Sequence, residues 1–226
     1  MKTLVIPFFQ SEKTVKKTVD LLLNHYFNDN DIEFIFVNDG STDKTHDILV
    51  SYPDPRIKII NNPTNMGKGY AIKQGYMQAK GDRIVFTDDD IPYGIDIVDL
   101  MFKDLNFVKV VIGKRKFNSG IIRRFVHYIS KLIVFFSFGF DQIDTQCGVK
   151  GAVKNVCKKY AEKSIVNSFG FDVEFLYYCY LNKISVLERK VCQTNHTEST
   201  IKIKDLFFIL KDLVKVKKNT KKYIEK

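Results

Sequence analysis

The sequence predicts an α/β fold: a mostly parallel central sheet flanked by helices, in a single domain. Two observations carry this. Between Thr3 and Phe86, short apolar runs of strand length alternate with stretches of helical periodicity. Each apolar run ends in a polar, glycine-bearing or acidic turn, and in open α/β sheets the loops beyond the carboxyl ends of the strands hold ligands. The composition suits such a core, with 226 residues, 45% hydrophobic, 19 Phe and 11 Tyr. Residues 1–200 are expected to form the main domain, and 201–226 a basic amphipathic tail.

Thr3 to Pro7 reads as the first strand, and Glu12 to Tyr26 as a helix with Val15, Val19, Leu22 and Leu23 on one face. Glu33 to Val37 is the second strand. It runs into the turn Asn38-Asp39-Gly40-Ser41-Thr42-Asp43, which opens a helix over Lys44 to Ser51. Arg56 to Ile60 is the third strand, followed by a polar loop from Asn61 to Gly69. Tyr70 to Ala79 is helical, and Arg83 to Phe86 is the fourth strand, broken by Ile91-Pro92-Tyr93-Gly94.

Three acids in a row, Asp88-Asp89-Asp90, close the fourth strand. Adjacent carboxylates repel unless a cation or solvent relieves them. Residues i and i+2 of extended chain point the same way, so Asp88 and Asp90 are placed to grip one ion while Asp89 points elsewhere. Hard oxygen ligands on an open site suit Mg²⁺ or Mn²⁺ shared with substrate phosphates. The alternative is an acidic surface turn. In Gly67-Lys68-Gly69 the glycines let backbone N–H groups approach an anion and the lysine adds charge; an ordinary tight turn is the other reading.

The formal charge of +10 admits nucleic acid, an anionic membrane or a phosphorylated substrate. Nucleic acid is not expected, because the basic residues gather in the tail and in Lys114-Arg115-Lys116 rather than interleaving with aromatics. The four cysteines form no CxxC pair, so reduced thiols are expected rather than zinc or disulfides. No secretion leader is expected, since the run Leu4-Val5-Ile6 stops at Pro7. No apolar stretch reaches the roughly 18–20 residues of a spanning helix. From Ile121 to Phe136, Ile122, Phe125, Val126, Ile129, Leu132, Ile133 and Phe136 follow helical spacing, with Arg123, His127, Ser130 and Lys131 opposite. This fits an interfacial membrane helix or a core helix with a solvated stripe. The tail from Asp205 mixes Leu206, Phe207, Phe208, Leu210, Leu213 and Val214 with lysines. It fits a membrane-surface segment, a solvated helix, or a helix docking on an oligomer or membrane subunit.

Taken in order, Ile6-Pro7-Phe8-Phe9-Gln10-Ser11-Glu12, Val37-Asn38-Asp39-Gly40-Ser41-Thr42-Asp43, Asn65-Met66-Gly67-Lys68-Gly69 and Asp88-Asp89-Asp90 resemble the family 2 nucleotide-sugar glycosyltransferases of GT-A fold. Further on, Asp144-Thr145-Gln146-Cys147-Gly148-Val149-Lys150 and Phe171-Asp172-Val173-Glu174 resemble the branch that makes polyprenyl-phosphate sugars, the dolichyl-phosphate β-glucosyltransferases above all.

The resemblance implies an inverting, metal-dependent transfer of a hexose, glucose by preference, from a nucleotide-sugar such as UDP-glucose to a polyprenyl phosphate. Relatives often carry transmembrane helices; with no stretch of spanning length here, a membrane-bound acceptor leads to the expectation of a peripheral protein at the cytoplasmic face of a membrane. Pro7, Phe9, Glu12, Asp39, Gly67, Lys68, Asp88 and Asp89 then fall to the donor, with Asp39 accepting the N3–H of uracil. Phe9 replaces the usual Tyr, which keeps stacking and loses a hydroxyl. Asp88 and Asp90 fall to the Mg²⁺ or Mn²⁺ ion, Asp90 binding it directly. Pro92 stands where mannose synthases carry a Gln ligand. Arg123, Arg124, Ser130 and Glu174 fall to the acceptor. Asp90, Asp144, Arg123 and Arg124 are the expected catalytic residues. His196 lies where relatives close a loop over the donor phosphates.

Overall fold

The computed structural model describes residues 1–115, 138–139, 144–145, 147–168, 170–193 and 203–224. Their elements are β1 (Lys2–Phe8), α1 (Val15–His25), β2 (Ile32–Asn38), α2 (Thr45–Val50), β3 (Ile57–Asn61), α3 (Lys68–Gln78), β4 (Arg83–Thr87), α4 (Ile95–Asp104), β5 (Val110–Arg115), β6 (Val149–Val153), α5 (Lys154–Lys163), α6 (Phe171–Leu181), β7 (Val186–Val191), α7 (Ile203–Lys218) and α8 (Thr220–Tyr223). The first four strands and three helices lie within a few residues of their sequence-predicted positions.

The strands form one seven-stranded sheet in the order β3-β2-β1-β4-β6-β5-β7. β1 pairs in parallel with β2 and β4, with Val5 opposite both Ile35 and Phe86. β6 runs antiparallel to both its neighbours, with Thr87 opposite Val149 and Val111 opposite Gly151. It is the one reversed strand among the described residues.

Strand alternation divides the core into two layers. Val5, Ile35, Val37, Ile84 and Phe86 face one cluster, which Ala71, Ile72, Tyr76, Tyr160, Phe175 and Tyr178 complete from α3, α5 and α6. Leu4, Ile6, Phe8, Phe34, Phe36 and Val85 face the other, completed by Val15, Val19, Leu22, Val98, Met101 and Phe102 from α1 and α4. Unlike α1, helix α6 has no solvent-facing polar side along most of its length, and its two carboxylates, Asp172 and Glu174, are buried with the rest. Its residues from Phe171 to Cys179 are all buried, as expected for a helix enclosed on every side.

The C-terminal helices also join this core. Leu213, Val216 and Tyr223 are buried in the layer with α3 and α6. The apolar face of the tail at these positions is therefore committed to the protein, while Lys211, Lys218, Lys221 and Lys222 remain outward, together with Val214 and Ile224. The side chains of Leu206, Phe207, Phe208 and Leu210 lie outside the described set.

Glu174 corrects the expectation of an acceptor-site carboxylate. It is fully buried. Its oxygens accept from the hydroxyls of Tyr160 (3.0 Å), Ser164 and Tyr223 (2.7 Å) and from the backbone N–H groups of Ile165 (2.7 Å) and Val166 (3.2 Å). A carboxylate in the core is tolerable when donors surround it this fully. It fastens the end of α5 and the tail to α6. Glu174→Ala should destabilise the fold by at least about 3 kcal/mol, since several buried donors lose their acceptor, and Tyr223→Phe by about 1 kcal/mol. Urea unfolding followed by circular dichroism checks both values and their order.

Candidate functional site

The loops that follow β1, β2, β3 and β4 emerge on the same edge of the sheet, because those strands are parallel. The antiparallel β6 begins on that edge, so Gly148 arrives beside the acids that follow β4, and Asp144 meets Arg115 at the end of β5, although they lie far along the chain. A Cβ placed on Gly148 would sit 2.1 Å from Asp88 Oδ2. A side chain at Gly148 would push the Asp88 carboxylate from the place it holds here.

Asp39, at the end of β2, is 3% exposed. Oδ1 accepts from Asn62 Nδ2 (2.8 Å) and Met66 N (3.0 Å), and Oδ2 accepts from Gly67 N (2.8 Å). The carboxylate thus organises the loop after β3, and each oxygen can take more than one donor. Gly67 has φ +95°, and a Cβ there would sit 2.5 Å from the Asn167 carbonyl oxygen. Glycine is required on both counts. α3 starts at Lys68, so its partly positive N-terminal end lies in this loop.

Pro7 lies in β1 opposite Val37, and the Phe9 ring is 46% exposed at the mouth of the site. Gln10 takes φ +54° and donates from its amide to Thr42 Oγ1 (2.8 Å). Glu12 accepts from Lys44 N (3.4 Å) and donates its own N–H to Asp43 Oδ2 (3.0 Å). Gln10 and Glu12 therefore tie the loop after β1 to the loop after β2.

The acids lie beyond the end of β4, in a turn closed by the Ile91 N–H on the Asp88 carbonyl (3.1 Å) rather than on extended chain, and Asp88 and Asp89 part. Asp89 turns inward, where its carboxylate accepts from Ser11 and Thr14 and its carbonyl from Thr18. Burial raises its pKa, the Ser11 hydroxyl pulls it back, and the Asp90 and Asp88 charges push it further up. Asp89 joins β4 to α1, a correction to its expected place beside the donor. Asp88, 30% exposed, instead meets the Lys68 ammonium. Burial alone would lower the Lys68 pKa; the Asp88 and Asp172 charges outweigh it and raise it.

Asp172 was not singled out for a role in the sequence, although it lies in the Phe171-Asp172-Val173-Glu174 motif. It pairs with the fully buried Lys150, which also donates to the Cys147 carbonyl (2.7 Å) and lies 5.4 Å from the centre of the Phe86 ring. Burial pushes the Asp172 carboxyl up, against the pull of Lys150 and Lys68. The charges therefore alternate through the site: Asp88, Lys68, Asp172, Lys150. The spacing of the motif held the only signal, since i and i+2 on a helix cannot share a face and Asp172 and Glu174 had to part.

Asp144 is 2% exposed and held in a bidentate pair by Arg115, with Nε to Oδ2 and Nη2 to Oδ1 both at 2.8 Å. Burial alone would lower the Arg115 pKa; Asp144 more than offsets it, and the guanidinium is raised. Arg115 was also missed, since it reads as part of a basic cluster. Arg123, Arg124, Ser130, Gln146, His196 and the segment from Ile121 to Phe136 lie outside the described residues.

Among the described residues no group of three His, Cys, Asp or Glu side chains converges as an all-protein metal cage. A Mg²⁺ or Mn²⁺ ion shared with phosphates needs only one or two carboxylates. Asp88 and Asp90 on an open edge fit that donor set. Two surface cavities, of about 350 and 670 Å³, lie away from the acids. Their lining includes Lys2, Arg83, Lys109 and Ile184, at the amino-terminal ends of the parallel strands.

Comparison with known proteins agrees with this arrangement. Residues 3–164 match the glycosyl transferase family 2. Dolichyl-phosphate beta-glucosyltransferase ALG5D of Trichomonas vaginalis is 30% identical over 233 residues, covering 94% of this chain and 71% of its own. The mouse dolichyl-phosphate beta-glucosyltransferase is 24% identical over 82% of this chain and 65% of its own. Among solved structures, glucosyl-3-phosphoglycerate synthase from Mycobacterium tuberculosis, in complex with Mn²⁺, UDP and phosphoglyceric acid, superposes with a TM-score of 0.72. It covers 100% of this chain and 80% of its own at 16% identity, a likeness of fold. With a seven-stranded sheet of GT-A type and the family's motifs gathered on one edge of it, the chain belongs to glycosyl transferase family 2 and is a glycosyltransferase.

Proposed function

We propose that this glycosyltransferase moves glucose from UDP-glucose to the phosphate of a polyprenyl lipid, dolichyl phosphate being the type, with inversion at the anomeric carbon. The observation that carries this reading is the likeness, over nearly the whole chain, to enzymes named dolichyl-phosphate beta-glucosyltransferase. The choice of uridine is supported by Asp39, and by a shared fold with an enzyme solved with UDP and Mn²⁺.

The residues divide the work as follows. Phe9 stacks on the base, and a lone pair of Asp39 accepts the uracil N3–H. Lys68 and the N-terminal end of α3 meet the diphosphate. Asp90 and Asp88 hold a Mg²⁺ or Mn²⁺ ion, which when bound supplies positive charge to the leaving diphosphate. The acceptor phosphate has a second pKa of about 6 and is mostly a dianion at neutral pH, so its oxygen attacks without surrendering a proton. Asp144, engaged by Arg115, therefore serves to position the site rather than to act as a base. Arg123, Arg124 and Ser130 orient the acceptor phosphate, as the family resemblance implies.

A lipid acceptor requires the protein to work at a membrane surface, on the cytoplasmic face where nucleotide-sugars are available. Among the described residues no helix is long and apolar enough to cross a membrane. The exposed lysines of the tail supply the attraction, at about 1 kcal/mol per lysine near an anionic surface. Its buried face, at Leu213, Val216 and Tyr223, does not.

Three outcomes are expected. Asp90→Ala should abolish transfer in a donor-by-acceptor assay with UDP-glucose, dolichyl phosphate and Mn²⁺, with an unchanged melting curve; full transfer by that variant in EDTA refutes the metal assignment. In calorimetric titration UDP should bind at least about tenfold more tightly than CDP, since cytosine has no N3–H and leaves the Asp39 carboxylate facing an acceptor. Binding to anionic vesicles should weaken as salt rises, because screening shortens to about 8 Å at physiological ionic strength. Co-sedimentation across a salt series measures it, and protein that stays in the supernatant at low salt refutes the surface contact.

A further inference from the structure

The Lys68 ammonium occupies the Asp88 carboxylate in the protein alone. Three features make this contact unusual. Lys68 is the first residue of α3, where the helix dipole disfavours a cation and favours an anion. Asp88 is also one of the two acids placed to hold a divalent ion. And the start of α3 abuts the start of α6, where a Cβ on Gly69 would sit 2.7 Å from Phe171 Cβ, so the ammonium lies in the field of a second carboxylate, Asp172, whose other partner is Lys150. The pair is not sealed away, with 21% and 30% of the Lys68 and Asp88 side chains exposed.

An ammonium and a divalent ion cannot share one carboxylate without repulsion. At about 4 Å even two unit charges interact by about 1 kcal/mol in water and about 4 kcal/mol near a protein surface. We propose that Lys68 is the resident cation of the Asp88–Asp90 site, that a divalent ion displaces it, and that Asp172 receives the displaced ammonium. This rests on the metal reading of Asp88 and Asp90 given above. In the ion-free state Lys68 relieves the repulsion among the three adjacent acids. In the ion-bound state its charge turns towards Asp172 and the donor phosphates. Lys68 is thus a positioning residue whose two resting places link metal entry to donor binding. By linkage, a diphosphate that draws Lys68 off Asp88 raises the affinity for the ion, and the ion raises the affinity for the diphosphate.

The test is Mn²⁺ binding without sugar or acceptor, read from the paramagnetic resonance signal of free aqueous Mn²⁺. Lys68→Met, which keeps the stem and removes the charge, should bind Mn²⁺ about tenfold more tightly than the unaltered protein. Lys68→Arg, which keeps the charge, should bind like the unaltered protein. Asp172→Asn should weaken Mn²⁺ binding when Lys68 is present and leave it unchanged in the Lys68→Met background. Lys150 is common to both backgrounds, so a merely structural effect would appear in each. If the unaltered protein binds Mn²⁺ and Lys68→Met binds it equally or less tightly, the competition is overturned and the metal reading stands. Equal losses from Asp172→Asn in both backgrounds overturn the role of Asp172. If neither protein binds Mn²⁺, with or without UDP, both the proposal and the metal reading fail.

Discussion

The site depends on the pairing of β4 with β6, which sets Thr87 opposite Val149. The parallel strands β1 to β4 bring their own loops to one edge of the sheet, and that edge would be acidic. Because β6 runs the other way, its beginning meets the end of β4. That register places Gly148 against Asp88 and sends Lys150 into the core beside Phe86. One residue of slippage would turn Lys150 to the opposite face of the sheet, leaving Asp172 buried without its cation.

Charge balance follows from that geometry. Asp88, Asp89 and Asp90 are adjacent in sequence, and the fold gives them different surroundings. Asp89 goes to the hydroxyls of Ser11 and Thr14 just before α1, and Asp88 to Lys68 from the start of α3. Lys150 and Asp172 come from β6 and α6 and meet in the interior. Breaking a buried pair of this kind costs about 3–5 kcal/mol, since the remaining charge stays buried. The edge is accordingly rigid behind Asp88 and open in front of it, as a site must be if it is to hold its carboxylates still while ions and phosphates come and go.

A second set of polar contacts supports the loop before α3 from below. Glu174 fixes the backbone at Ile165 and Val166. Lys73 donates to the Val166 carbonyl (2.9 Å) and to Asn167 Oδ1 (2.7 Å), and burial lowers its pKa. The Asn167 carbonyl in turn accepts from Tyr70 N (3.1 Å) and lies against Gly67. Tyr223 joins the same assembly through Glu174, so the end of the chain bears on the loop that carries Lys68. A tail that reads as a surface segment is in part a brace for the loop before α3.

The sequence by itself determined the first half of the fold and the identity of its loops. Strand and helix periods are local, and parallel strands deliver successive loops to one edge whatever follows them, so Asp39, Gly67, Lys68 and Asp88 to Asp90 could be placed together from pattern alone. The partner of each charge was decided only by the tertiary structure. Lys68 and Asp88 are 20 residues apart, Lys150 and Asp172 are 22, and Arg115 and Asp144 are 29. No local period encodes such distances. Glu174 and Asp172 show the limit most plainly. Two residues apart on one helix, Glu174 drew the functional expectation and Asp172 none, yet the helix turn sends Asp172 to Lys150 and Glu174 to the core, because a helix buried over most of its length assigns each side chain to whatever element packs against its face.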